Sequence, residues 1–237
     1  MARNLVGSDE RVLAVFERSL EMMHAAGAEL VDPADVPNFD KFGKSEIEVL
    51  LYEFKADLDA YLSGVGPQVP AHSLAEVIRF NKANRERVMP YFGQERMEAA
   101  VKKGSLTQKK YQNALARNLR LARHEGLDVV LGEFGLDAIV VPTGGPAWMI
   151  DLVNGDALNW DMESTSLPAV AGYPHITVPA GTIFGLPVGL SFIAGAWQEP
   201  KLLGLAYAFE QATHFRKPPE FLPSVDLAVG SEMAALR

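Results

Sequence analysis

Charge is sorted along this chain, and the sorting constrains the fold more than any other feature. Residues 1–127 carry 18 basic and 18 acidic side chains, whereas Asp128 to Arg237 carries only 4 basic and 12 acidic. A stretch so poor in charge cannot be mainly solvated helix surface. The second part must therefore supply buried framework, and the first the solvated helices that cover it.

Helical spacing supports this for the first part. Val12, Val15, Phe16, Leu20 and Met23 share one face behind a candidate cap at Ser8, and Gly27 is placed to stop that helix. Ala28 to Val31, closed by Asp32-Pro33, then reads as a short strand. Ser45-Glu46-Ile47-Glu48 has the spacing of a capping box, in front of a stripe made by Ile47, Leu50, Leu51, Phe54, Leu58, Tyr61 and Leu62 that ends at Gly64. Ser73-Leu74-Ala75-Glu76 repeats the box. Further helical stretches run from Gln94 to Lys103 and from Thr107 onward, and the last keeps its phase across Gly126 as far as Phe134.

Beyond Phe134 the texture changes. Asp137-Ala138-Ile139-Val140-Val141 is apolar on both faces, as a buried central strand must be. His175 to Pro179 and Val188 to Ile193 read as two more strands, separated by the turn-rich Ala180 to Pro187. Glu199-Pro200 opens a helix with Leu202, Leu205, Ala206 and Phe209 facing inward. Strands mixed with helices indicate a layered α/β architecture.

Composition removes several function classes. The net charge of −8 leaves no basic excess for a phosphate backbone, so nucleic acid is not expected as a partner. The absence of cysteine removes thiolate metal sites, iron–sulfur clusters and cysteine nucleophiles together. No run approaches the ~18 apolar residues of a membrane span, and Met1 to Ser8 is too short and polar for a secretory segment, so a cytoplasmic chain without membrane contact is expected. His24, His72, His124, His175 and His214 lie far apart, which argues for ordinary histidines and against a metal centre. Thr143-Gly144-Gly145-Pro146 follows a strand but lacks both nucleotide-loop patterns, and no cofactor is expected.

Serine nucleophiles usually sit on glycine-flanked turns, and no GxSxG occurs. Ser164-Thr165-Ser166, read as loop, is either a row of hydroxyls lining a site or a loop whose side chains bond their own backbone. Asp151, Asp156, Asp161 and Glu163 crowd the same region with Trp148 and Trp160, as acid–base partners or as a solvated acidic loop. Gly172, Gly181, Gly185 and Gly189 punctuate the strands, through either close backbone approach or hairpin geometry.

The stretch Leu167-Pro168-Ala169-Val170-Ala171-Gly172-Tyr173-Pro174-His175-Ile176-Thr177-Val178-Pro179-Ala180-Gly181, followed by Gly185-Leu186-Pro187-Val188-Gly189-Leu190-Ser191-Phe192-Ile193, resembles the C-terminal block of the amidase signature family. Asp137 to Thr143 looks like that family's strand leading to the substrate pocket, and Lys201 to Glu210 like its closing helix. The Ala-Gly-Tyr-Pro-His wording is most similar to the peptide amidase-like branch. The resemblance implies an α/β/α layered fold with a mixed sheet, of which this chain is the C-terminal half. It would be a single incomplete domain, with 1–134 a mainly helical covering part and 135–237 the sheet-rich part. The implied substrate is an amide-bearing small molecule or peptide amide.

The family's Ser, cis-Ser, Lys triad sits in and before a Gly-Gly-Ser-Ser-Gly segment. The one Gly-Gly pair here, Gly144-Gly145, is followed by Pro146 and Ala147, so no residue inherits a catalytic role. Three readings stand: the C-terminal part of an amidase, a chain of a split amidase active with an N-terminal partner, or a binding module on the same scaffold. The first two imply an apolar face left open for the missing half, covered meanwhile by self-association. Substrate-lining roles are expected for Thr143, at the end of a buried strand, for Trp148, in the loop that follows, and for Ser166, before Leu167-Pro168. The alternative makes Trp148 a satellite-core aromatic and both hydroxyls turn caps.

Overall fold

The computed structural model describes residues 1–157, 164–219 and 221. They form two compact units, one made of Met1–Phe39 with Ala122–Arg237 and the other of Asp40–Leu121. In chain order the helices are α1 (Glu10–Ala25), α2 (Gly43–Ser63), α3 (Leu74–Ala83), α4 (Arg85–Val88), α5 (Glu95–Ala100), α6 (Lys109–Asn118), α7 (Asp128–Glu133), α8 (Ser166–Ala171) and α9 (Glu199–Thr213), and the strands β1 (Ile139–Pro142), β2 (His175–Ile183) and β3 (Leu186–Ile193). A π-helical segment, Leu119–Leu127, joins α6 to α7, so the helix expected to run across Gly126 does so.

In the first unit, α1 begins one residue later than the expected cap. Asp9 is extended and its carboxylate accepts from the Arg11 N–H at 2.9 Å, so Asp9 and not Ser8 closes the helix. At the other end Gly27 N–H reaches the His24 carbonyl and Ala28 N–H the Met23 carbonyl, the paired 5→2 and 6→1 bonds of a Schellman motif. Residues 28–31 are not a strand. Four residues are too few to hold a strand without a partner ladder, and the Val31 carbonyl instead takes the Met1 ammonium at 2.5 Å.

The sheet has the order β1-β3-β2 with both pairings antiparallel. β1 is buried on both faces as its composition requires, yet among the described residues it is an edge strand, and β3 is central. Apolar character on both faces reports that both faces are covered, which does not distinguish an edge from a centre. β2 and β3 extend into the stretch expected to be turn-rich and meet at a two-residue turn, Phe184-Gly185, whose φ values of 53° and 74° belong to a type I′ hairpin. One sheet face, carrying Val178, Ala180, Leu190, Phe192 and Ala194, packs against Phe16, Leu20 and Met23 of α1 and Leu202, Ala206 and Phe209 of α9. The Phe192 and Phe209 rings meet edge to face at 6.1 Å. Leu205 is only partly buried, and the rest of the expected α9 face holds.

The second unit is helical. α2 ends at Gly64 as expected but begins before the anticipated box: Ser45 lies inside it and donates its hydroxyl to the Phe42 carbonyl at 2.8 Å. Its buried positions are Ser45, Val49 and Tyr52, with Val49 and Tyr52 packed on Tyr111 and Ala114, whereas Ile47, Leu50, Phe54 and Tyr61 of the expected stripe are exposed. α3 is capped as read, with Ser73 accepting from Glu76 N–H. Among the described residues no helix is long and apolar enough to cross a membrane.

Candidate functional site

Alternation along the strands leaves a second sheet face, and it is polar towards one end. Thr177 pairs with Ser191 in the β2–β3 register, and Val141 faces Ser191 from β1. Past the end of β1 the Thr143 N–H donates to the Gly189 carbonyl at 2.8 Å, which extends the ladder by one residue. Gly189, Ser191 and Ile193 therefore lie on one face with Thr143, Thr177 and His175.

These side chains form a continuous row. His175 Nε2 is 2.7 Å from Ser191 Oγ, Ser191 Oγ is 2.7 Å from Thr143 Oγ1, and Thr143 Oγ1 is 2.5 Å from Thr177 Oγ1. The row crosses the central strand where β3 carries Gly189. A Cβ placed there would lie 2.6 Å from Thr177 Oγ1 and 2.7 Å from Thr143 Oγ1, so a glycine is what lets the two threonines meet. Ser191, inside the row, is fully buried, His175 at one end is partly buried and Thr177 at the other end is exposed, so the row opens to solvent at Thr177. Burial pushes the His175 imidazole below its ordinary value, which favours its neutral form.

The loop after β1 is tied back to the row. Ser164, also buried, donates its hydroxyl to the Thr143 carbonyl at 2.7 Å. Ser166, expected in a loop, is the first residue of α8, whose cap position is Thr165. Thr143 and the segment leading into Ser166 are thus brought together through Ser164. Trp148 sits elsewhere: it lines an open cleft of about 220 Å³ with Asp9, Arg11, Phe184 and Leu186, and neither Thr143 nor Ser166 lines that cleft. Arg11 grips Asp9 at 2.6 Å and lies 5.3 Å from the Phe184 ring centroid, so the charges in that wall are already paired.

Asp151 is a turn former. It accepts from the backbone and side-chain amides of Asn154 and the backbone N–H of Val153, and these bonds hold its carboxyl below the usual carboxylate range. Trp160, Asp161 and Glu163 lie outside the described residues. Among the described residues no cluster of three His, Asp or Glu could hold a metal ion. The glycines divide between the two readings offered for them, Gly189 serving close approach and Gly185 hairpin geometry.

Sequence reasoning named Thr143 but missed Thr177, Ser191 and His175 as its partners. The signal was present, because His175 and Thr177 on β2 and Ser191 on β3 fall at alternate positions of otherwise apolar strands, on one face of the sheet.

A model of the family described as Amidase matches residues 2–203. A probable amidase of Arabidopsis thaliana is 34% identical over 216 residues, covering 88% of this chain and 38% of its own length. A solved peptide amidase in complex with the competitive inhibitor chymostatin superposes with a TM-score of 0.84 at 42% identity, over 90% of this chain and 42% of that one. The native peptide amidase from Stenotrophomonas maltophilia gives 0.79 and 40%, with the same coverage. The chain thus spans about two fifths of the length of these relatives.

Proposed function

Because this chain belongs to the amidase family, we propose that it forms the C-terminal wall of an amide hydrolase site and hydrolyses nothing by itself. The substrate is a carboxylic amide or the amide of a peptide, and hydrolysis requires a polypeptide that brings the Ser, cis-Ser and Lys of the family. One observation carries this reading. Ser191 has a base within hydrogen-bond reach, but it is fully buried where no substrate carbonyl can approach it. A neutral hydroxyl with no adjacent base is a poor nucleophile.

In this reading Thr143 and Ser166 lie beside the scissile amide where the N-terminal part of the fold completes the site, and Trp148, in its separate cleft, packs against an apolar part of a longer substrate. The exposed row Ile47, Leu50, Phe54 and Tyr61 on α2 favours a covering partner, either the N-terminal half of the family's fold or a second copy. The test is ammonia release from N-acetylphenylalaninamide. The purified chain should give none. A chimera that joins it to the uncovered N-terminal part of the Stenotrophomonas enzyme should turn over, and Thr143→Val should lower its kcat/KM about tenfold. Turnover by the chain alone that disappears with Ser166→Ala would overturn the proposal.

A further inference from the structure

The row His175, Ser191, Thr143, Thr177 has a direction, and the direction can be counted. Each hydroxyl brings one proton, and a neutral imidazole brings one proton on one of its two nitrogens. Three contacts join the four side chains. If His175 Nε2 accepts, Ser191 must donate to it, Thr143 to Ser191 and Thr177 to Thr143. Every hydroxyl proton is then spent inward, and Thr177 shows only lone pairs to solvent. If Nε2 carries the proton, the same three contacts form in the opposite sense and the spare proton of the row is left on the Thr177 hydroxyl.

We propose that His175 holds its proton on Nε2, so that the row points outward and Thr177 offers a hydrogen-bond donor to the carbonyl oxygen of an amide substrate. This rests on the amide reading above and adds to it the contact atom and the residues that orient it. The Nε2–H form is the one that a free neutral histidine side chain prefers. It also leaves the one uncommitted proton at Thr177, the exposed end of the row, whereas the opposite sense would leave it on Nδ1 of His175, the partly buried end. Gly189 keeps the space between the two threonine hydroxyls clear of any side chain. His175 and Ser191 are positioning residues that act through Thr177, and Thr143, placed beside the amide in the reading above, also passes the direction of the row on to it.

The test uses the full chain labelled with ¹⁵N, its five histidines separated by comparison with His175→Gln. Long-range ¹H–¹⁵N correlation should show a protonated Nε2 and an unprotonated Nδ1 at His175. In Ser191→Ala the Nε2 proton should exchange with solvent at least about tenfold faster, because its acceptor is gone. Titration with N-acetylphenylalaninamide should give saturable shifts at the Thr177 amide. Thr177→Val should raise the Kd about tenfold, and Thr177→Ser, which keeps the hydroxyl, should bind within about twofold of the original chain.

A proton on Nδ1, the absence of saturable shifts in the unsubstituted chain, or a Kd unchanged by Thr177→Val would each overturn the proposal. Binding is read here without turnover. A chimera that fails to release ammonia while these signals appear would therefore defeat the hydrolase reading and leave this one standing.

Discussion

Gly189→Ala is the sharpest probe of the polar face, because the structure says what the new methyl group would strike. The built Cβ lies 2.6 Å from Thr177 Oγ1, 2.7 Å from Thr143 Oγ1 and 3.2 Å from Thr143 Cβ. Two responses are open to the protein. The strands can part slightly, at the ~1–3 kcal/mol typical of overpacking. Alternatively both threonines can rotate away and forfeit two hydroxyl contacts, at roughly 0.5–1.5 kcal/mol each. Against either stands a gain of about 0.4–1 kcal/mol from the stiffer unfolded chain. The expected net loss is therefore about 1–2 kcal/mol. All three tryptophans, Trp148, Trp160 and Trp197, lie after residue 121, so their fluorescence in a urea titration follows the unit that contains the sheet. The decisive arm is the same substitution in a Thr143→Ala, Thr177→Ala background, where both obstructing hydroxyls are gone and the 3.2 Å approach to the Cβ of residue 143 is set against the unfolded-state gain. There Gly189→Ala should cost little or nothing, and the cycle should show a coupling of at least ~1 kcal/mol. An equal penalty in both backgrounds would mean that the threonine row is not what requires glycine, and the account of the site would fall with it.

Two further perturbations address other links. Gly185→Val, at φ +74° in the hairpin turn, should lower the urea midpoint by an amount equivalent to about 1–2 kcal/mol, with the slope unchanged. In the helical unit, hydrogen bonds from Lys103 at 2.7 Å and Lys110 at 2.9 Å hold the Glu48 carboxyl below its ordinary range. A depressed carboxylate stabilises fully above its unfolded pKa of about 4.3, and that stability is lost as pH falls through the lower folded value. Acid titrations followed by far-ultraviolet circular dichroism should therefore show a shallower loss of stability below about pH 4.3 in Glu48→Gln than in the original chain.

Local signals were legible in the sequence wherever one interaction decides the outcome. The Ser73 cap, Pro200 in the first turn of α9, the stop at Gly27 and the strands on either side of the hairpin each depend on neighbours in the chain, and each is found. Signals failed where a distant partner decides. The stripe assigned to α2 follows the densest apolar face, but that helix carries apolar residues on more than one side. The face buried within its unit is set by Tyr52, whose ring lies 5.6 Å from that of Tyr111 and whose hydroxyl reaches Gln108 at 2.7 Å. Periodicity finds apolar faces but cannot say which of them meets a partner on another helix. Residues 28–31 failed for the same reason, since a strand exists only where another strand pairs with it.

The candidate site was half legible for a related reason. Thr143 stood out because it ends a strand, where ligands collect in open α/β sheets. Its partners lie 34 and 48 residues further along the chain and are joined to it only by register. Register turns a serine in β3 and a threonine in β2 into neighbours, and one slipped residue would send both hydroxyls into the apolar face that α1 and α9 cover. The Phe184-Gly185 turn sets the β2–β3 register, and the bulge between Pro179 and Gly181 shifts it by one residue before Thr177 meets Ser191. The hydroxyl row is therefore a consequence of turn and bulge chemistry several residues away from it. A lengthened turn should scatter the row while leaving both strands apolar enough to pair, which separates loss of the site from loss of the fold.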